Sequence, residues 1–204
     1  MRSIVKCGML GVILATATSC APLAERRSAD ESPSESAAEA ASAIASRVLE
    51  TAAGELILIQ EATFEAPRRA VWDAYTTAEG WQSWAAPHAS VDLQIGGKIL
   101  TNYAPNGTLG GPGTNTLTIV SYVPEELLTL KADVSQNWPE ILKQDADRLS
   151  NVIVFHKLSD TRSKVISYGI GYGNSPEHKK LLEFFTGANE GLLRKLKGVL
   201  EGAP

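Results

Sequence analysis

The chain predicts an α+β fold: a curved antiparallel sheet of about six or seven strands around a long C-terminal helix, with two short helices after the first strand. Three observations point there. Short alternating runs separated by turn residues fill the middle of the sequence, and one long stripe at helical spacing closes it. Between the first strand and the rest lies APRRAVWDAYTTAEGWQSWAAPHASVDLQIGG, which holds Trp72, Trp81 and Trp84, three of the four Trp residues.

Residues 55–65, ELILIQEATFE, form a β-rich run. Pro67 stands where a first helical turn tolerates a residue without an N–H, and residues 68–76 read as helix. Val71, Ala74, Tyr75 and Ala78 share one face at helical spacing, with Trp72 beside them. Residues 78–84 make a second short helix. Val91, Leu93 and Ile95 alternate with Asp92 and Gln94, the pattern of a half-buried strand. Gly96-Gly97 permits a bulge or sharp turn, after which residues 98–103 resume the sheet.

Residues 105–113 read as a flexible hairpin tip. Four further strands are expected over 114–122, 127–133, 151–158 and 164–172, with Pro124-Glu125-Glu126 and Ser159-Asp160-Thr161 as two of the turns. In the last helix Ser175 is the expected N-cap, Pro176 the first helical residue, and Glu177 sits in the first turn. Leu181, Phe185, Ala188, Leu192, Leu196 and Val199 recur at steps of three and four, a stripe that must cover one face of the sheet. Gly187 and Gly191, each costing about 1 kcal/mol in a helix interior, are read as sites of close approach to the sheet or of a bend.

Strand, two short helices, about six strands and a long terminal helix make a helix-grip arrangement. Particular residues narrow it: Phe64-Glu65-Ala66-Pro67 with Val71-Trp72, Trp84 with Pro87, and Asp92-Leu93-Gln94-Ile95-Gly96-Gly97-Lys98. Later come Val152-Ile153-Val154-Phe155, Gly169-Ile170-Gly171-Tyr172-Gly173 and the Leu-rich terminal helix. With these the sequence resembles the START/polyketide-cyclase (SRPBCC) superfamily and, within it, the family named after the activator of the heat-shock-protein ATPase. The resemblance covers residues 55–202. It implies a helix-grip domain, commonly with a cavity between sheet and helix. Superfamily members bind lipids, hormones and polyketides, and some act as cyclases or co-chaperones, so the fold by itself selects no activity.

The N-terminal 54 residues stand apart. Arg2 and Lys6 precede an apolar run, 7–17, too short to span a bilayer, as in a secretory signal peptide. Its end, Ala17-Thr18-Ser19-Cys20, resembles a bacterial lipobox with Ala17 where a large aliphatic residue is usual. Lipidation of Cys20 would anchor the protein, and Ala21 in place of Asp fits passage to the outer membrane. The alternative is ordinary cleavage after Ala15-Thr16-Ala17. Either way the expected location is exported, periplasmic, with the lipoprotein reading placing it at the outer membrane. Residues 21–54 are rich in Ala, Ser and Glu and read as a linker, or else as a helical extension over 34–49 outside the core.

Composition removes several function classes. Cys7 and Cys20 are the only cysteines, so the domain over 55–204 has no disulfide, thiol nucleophile or thiolate metal site. That domain carries 14 Lys plus Arg against 17 Asp plus Glu, a net charge of −3, without a basic stripe, and nucleic acid is not an expected partner. His88, His156 and His178 lie 68 and 22 residues apart, without metal-ligand spacing. The loop GTLGGPG lacks the Lys-Ser/Thr of a phosphate-binding loop. No cofactor, metal or catalytic constellation is expected.

Two readings remain. The first is a membrane-tethered binding protein for a hydrophobic small molecule or lipid. Trp81 and Trp84 are expected near the mouth of its cavity, and Trp138 opens an insertion or lid running to Arg148. Tyr103, Phe155, Tyr168 and Phe185 are expected under the terminal helix, ordinary core being the alternative for each. His156, alternating with Val154 and Leu158, is expected to face inward, and His178 to be solvated. The second reading is an enzyme of cyclase or hydrolase type acting in the same cavity, with His156 or His88 as acid/base. A co-chaperone role would need a cytosolic chaperone, in another compartment from an exported protein.

Overall fold

The computed structural model describes residues 44–133 and 140–202; Cys20, the signal peptide, most of the 21–54 segment and Trp138 lie outside the described residues. Eight strands form one antiparallel sheet: β1 (Ala45–Glu50), β2 (Leu56–Phe64), β3 (His88–Val91), β4 (Lys98–Asn102), β5 (Thr114–Val123), β6 (Leu127–Asp133), β7 (Ser150–Lys157) and β8 (Ser163–Tyr172). Their order across the sheet is β1-β2-β8-β7-β6-β5-β4-β3. Helices α1 (Arg68–Thr76) and α2 (Ala78–Trp84) follow β2, α3 (Glu140–Gln144) precedes β7, and α4 (Pro176–Glu201) ends the chain. This is the α+β helix-grip fold, a curved sheet with a long C-terminal helix packed on its inner face.

The inner face is set by strand parity. Leu58, Gln60, Ala62 and Phe64 of β2 stand opposite Gly169, Ser167, Val165 and Ser163 of β8. The larger core cluster gathers Phe64, Val71, Trp72, Tyr75, Ile119, Leu128, Phe155, Val165, Leu193 and Leu196. A smaller one joins Leu56, Leu58, Leu142, Tyr172, Leu181 and Leu182. Ser175 caps α4 as expected, its hydroxyl accepting from the His178 N–H, and Gly202 in the left-handed region ends the helix.

Three expectations need correction. Residues 45–50, assigned to the linker or to a helical extension, form β1, which pairs with β2 from Ala45↔Glu61 to Glu50↔Leu56; the sheet therefore starts earlier and has eight strands. The strand read over 91–95 ends at Val91. Gly96 N–H donates to the Ile119 carbonyl at 2.8 Å and Gly97 N–H to the Gln94 carbonyl at 2.9 Å, so the motif folds into a turn that leaves Leu93 and Ile95 exposed. Gly187 and Gly191 do not approach the sheet, since a Cβ on either would meet nothing within 4 Å. The glycine-rich hairpin tip folds around Asn102. That buried amide donates to the Thr108 and Pro112 carbonyls at 3.1 and 3.2 Å and accepts from the Ala104 N–H at 3.0 Å.

Candidate functional site

The Trp-rich segment builds one wall of an internal cavity. Helix α1 ends at Thr76, leaving its last carbonyls without intrahelical partners. The indole N–H of Trp81 donates to the Tyr75 carbonyl at 2.7 Å, and that of Trp84 to the Ala74 carbonyl at 3.0 Å. Thr77 caps α2 by accepting from the Gly80 N–H at 2.9 Å. Gly80 is required there because a side-chain carbon would run into the Asp73 carbonyl. With both N–H groups satisfied, the two indoles stack at 5.4 Å and 28°, and Tyr75 tilts against Trp84 at 5.1 Å.

Opposite this wall, α4 roofs the sheet. Leu181 and Leu182 hold its first half on the smaller cluster, and Leu193 and Leu196 hold its second half on the larger one. Between these anchorages Phe184, Phe185, Ala188, Asn189 and Leu192 face a cavity of about 410 Å³. Trp81, Trp84, Leu117, Leu130 and Ile153 supply much of its apolar lining, and Phe184, 65 % exposed, and Tyr103, 50 % exposed, border it toward solvent.

The polar groups of the cavity are all neutral. Gln60, 2 % exposed, donates to Ser46 Oγ at 3.1 Å and to the Thr186 carbonyl at 3.3 Å, and accepts from Asn189 Nδ2 at 2.9 Å. It ties the middle of α4 to β1 and β2. Ser167 Oγ donates to Asn151 Oδ1 at 2.7 Å. Thr101, Asn115, Thr116 and Ser150 complete the polar lining, with the Tyr75, Tyr103 and Tyr172 hydroxyls. Burial raises all three phenols, Tyr172 to about 12, so they remain protonated donors at neutral pH. None of the described lining residues is Asp, Glu, Lys, Arg or His.

Of the residues expected at the site, Trp81, Trp84, Tyr103 and Phe185 do line this cavity. Phe155 is instead core, 3 % exposed and edge-on to Trp72 at 5.3 Å and Tyr75 at 5.5 Å. His156 and Tyr168 lie on the outer face of the sheet. In β7 it is Ile153 and Phe155 that point inward, and in β8 it is Ser167 and Gly169, so both residues have the opposite parity. His156 is exposed. His88 is half-buried, with Nε2 3.0 Å from the Pro105 carbonyl. Neither His has a place in the cavity lining, so the acid/base roles considered for them lack the geometry.

His178 is buried rather than solvated. Its Nδ1 accepts from the Gly173 N–H at 2.7 Å, and Nε2 lies 3.0 Å from Asp145 Oδ2. Asp145 lies off the line of an Nε2–H donor, so this second contact is proximity of charge and not a hydrogen bond. The Gly173 bond fastens the start of α4 to the end of β8. Among the described residues no group of three or more His, Cys, Asp or Glu is placed to hold a metal ion, and no helix is long and apolar enough to cross a membrane.

The polar lining of Gln60, Asn151, Ser167 and Asn189 was missed in the sequence. Gln60 did carry a signal. In LILIQEATF it shares parity with Leu58, Ala62 and Phe64, which marks it as an amide on the buried face.

The comparisons agree with this fold. No curated protein matches the chain. Among solved structures, protein NE0264 from Nitrosomonas europaea aligns with 17 % identity and a TM-score of 0.55 over 72 % of this chain and 94 % of its own. The Aha1 dimer from Colwellia psychrerythraea aligns with 13 % identity and a TM-score of 0.53 over 71 % and 96 %. CalU16 from Micromonospora echinospora gives 19 % identity and a TM-score of 0.52 over 79 % and 85 %. Likeness at such identities is likeness of fold. Residues 65–201, from the end of β2 to the end of α4, match the sequence profile described as Activator of Hsp90 ATPase homolog 1-like protein, and the chain belongs to that family.

Proposed function

We propose that the domain binds a hydrophobic small molecule or lipid between the sheet and α4. The observation that supports this best is the cavity itself: about 410 Å³, mostly apolar, with a few convergent neutral polar groups. Sites for small ligands typically enclose about 300–1,000 Å³ and have this kind of lining. Native mass spectrometry of the purified protein tests the reading directly, with a co-purified apolar molecule as the expected result. Titration with the neutral fluorophore N-phenyl-1-naphthylamine gives a second measure. Ala132→Phe fills the space from β6 at a half-buried position and should weaken the fluorophore about tenfold or more. Trp81→Ala, which removes part of the wall, should also weaken it. Unchanged binding in both variants would reject the cavity as the site.

The export reading belongs to the same proposal. The protein is carried across the inner membrane by residues 1–20, lipidated at Cys20 and tethered to the outer membrane, so that the domain meets its ligand near a lipid surface. The apolar run before Ala17-Thr18-Ser19-Cys20 supports it. Cys20→Ala should move the protein from the membrane fraction to the soluble periplasmic fraction. Retention in the membrane fraction would exclude anchoring through Cys20.

A further inference from the structure

We propose that this cavity selects uncharged amphiphiles bearing a carbonyl-type hydrogen-bond acceptor, such as esters and amides, and discriminates against the ionised acids of the same chain length. The inference rests on the binding reading above and narrows its ligand class. Its first ground is the absence of a counter-charge. No described lining residue is acidic, basic or His. A carboxylate entering this space would lose its hydration and meet no cation, whereas an ester would meet no such penalty.

The second ground is the way the polar side chains use their hydrogen bonds. Both Gln60 Nε2 donor directions are taken, by Ser46 Oγ and the Thr186 carbonyl, and its Oε1 is taken by Asn189. Gln60 is a structural strut. Asn151 differs: its Oδ1 accepts from Ser167, while its Nδ2 makes no hydrogen bond to a described residue. Asn151 lines the cavity beside Leu130 of β6, its register partner, so a donor stands next to an apolar wall. A donor so placed suits a neutral carbonyl oxygen with a hydrocarbon tail attached.

The experiment is displacement of N-phenyl-1-naphthylamine by methyl laurate, lauramide and laurate at about pH 8, where the acid is ionised, all below micellar concentration. Methyl laurate and lauramide should displace the fluorophore, and laurate should be weaker by about tenfold or more. Asn151→Leu should weaken methyl laurate and lauramide. Asn151→Asp, nearly isosteric, should weaken all the oxygenated ligands by placing a negative charge at the acceptor's seat. Circular dichroism checks that each variant is folded, and Ser167→Ala provides a second variant that disturbs the Asn151 amide without replacing it. Laurate equal to methyl laurate would overturn the charge selection while leaving the cavity reading intact. Unchanged ester and amide affinities in folded Asn151→Leu and Asn151→Asp would overturn the role of Asn151. No fluorophore binding to the native protein would overturn both readings together.

Discussion

The two halves of α4 rest on the same sheet but do different work. The C-terminal half is docked by close packing and by polar clasps. Leu196 is fully buried and Leu193 nearly so, Lys197 Nζ donates to the Thr63 carbonyl at 2.9 Å, and Glu201 accepts from the Glu65 N–H at 2.9 Å. The N-terminal half is held at its tip by Leu181, Leu182 and the His178 contacts, then spans an open space with Phe184 largely exposed. One half completes a core and the other roofs a cavity. Packing density therefore changes along a single helix, and stability and binding should map to different residues of it.

That separation can be broken from the largest effect downward. Leu196→Ala should cost about 3 kcal/mol in urea unfolding, while Leu192→Ala, whose side chain faces the cavity, should cost about 1 kcal/mol and alter ligand binding instead. Equal losses would mean that the cavity side is packed as tightly as the core side.

High pH should loosen the cavity end. Tyr172 is held at about 12 by burial against an ordinary value of 10.0, so the unfolded chain ionises first and stability falls as pH rises from about 10 to 12. The loss approaches about 2–3 kcal/mol for a two-unit shift, and Tyr172→Phe should flatten that part of the profile. The folded-state value is raised, so the contribution is complete below the unfolded value and disappears above the folded one.

His178→Leu leaves the half-buried Gly173 N–H without its acceptor and should cost about 1 kcal/mol, with faster hydrogen exchange at the start of α4. If exchange rises equally at Leu193, the two halves unfold as one unit. The smallest effect is a gain. Gly187→Ala meets open space at a helical position and should stabilise the fold by about 0.5–1 kcal/mol without changing binding.

Much of this was legible in the sequence, for reasons that differ by element. Helix α4 declared itself by its cap and its long stripe, and α1 by Pro67 and the apolar face that follows it. The Trp81 and Trp84 wall followed from placing those helices beside the sheet. Strand faces were harder. Residues 151–155 are Asn-Val-Ile-Val-Phe, apolar at both parities, so the run itself does not say that Ile153 and Phe155 face inward and that His156 faces out. Strand β1 was hidden because its partner, not its composition, makes it a strand: ASRVLE gains its ladder only from β2. The alternation at Val91, Leu93 and Ile95 misled for the opposite reason, since backbone bonds from Gly96 and Gly97 fold it into a turn despite a strand-like pattern. Burial of His178 depends on Asp145 and Gly173, contacts no local pattern foretells.

The stacked indoles of Trp81 and Trp84 also give the molecule an optical gauge. Two transition dipoles 5.4 Å apart couple, and both rings form part of the cavity lining. Their N–H groups are fixed on the carbonyls of Tyr75 and Ala74, so the rings hold one mutual orientation while the space beside them fills or empties. Occupancy should therefore register in the emission of this pair, through the change in its surroundings, without any attached label. A ligand search for this protein can begin with its own light.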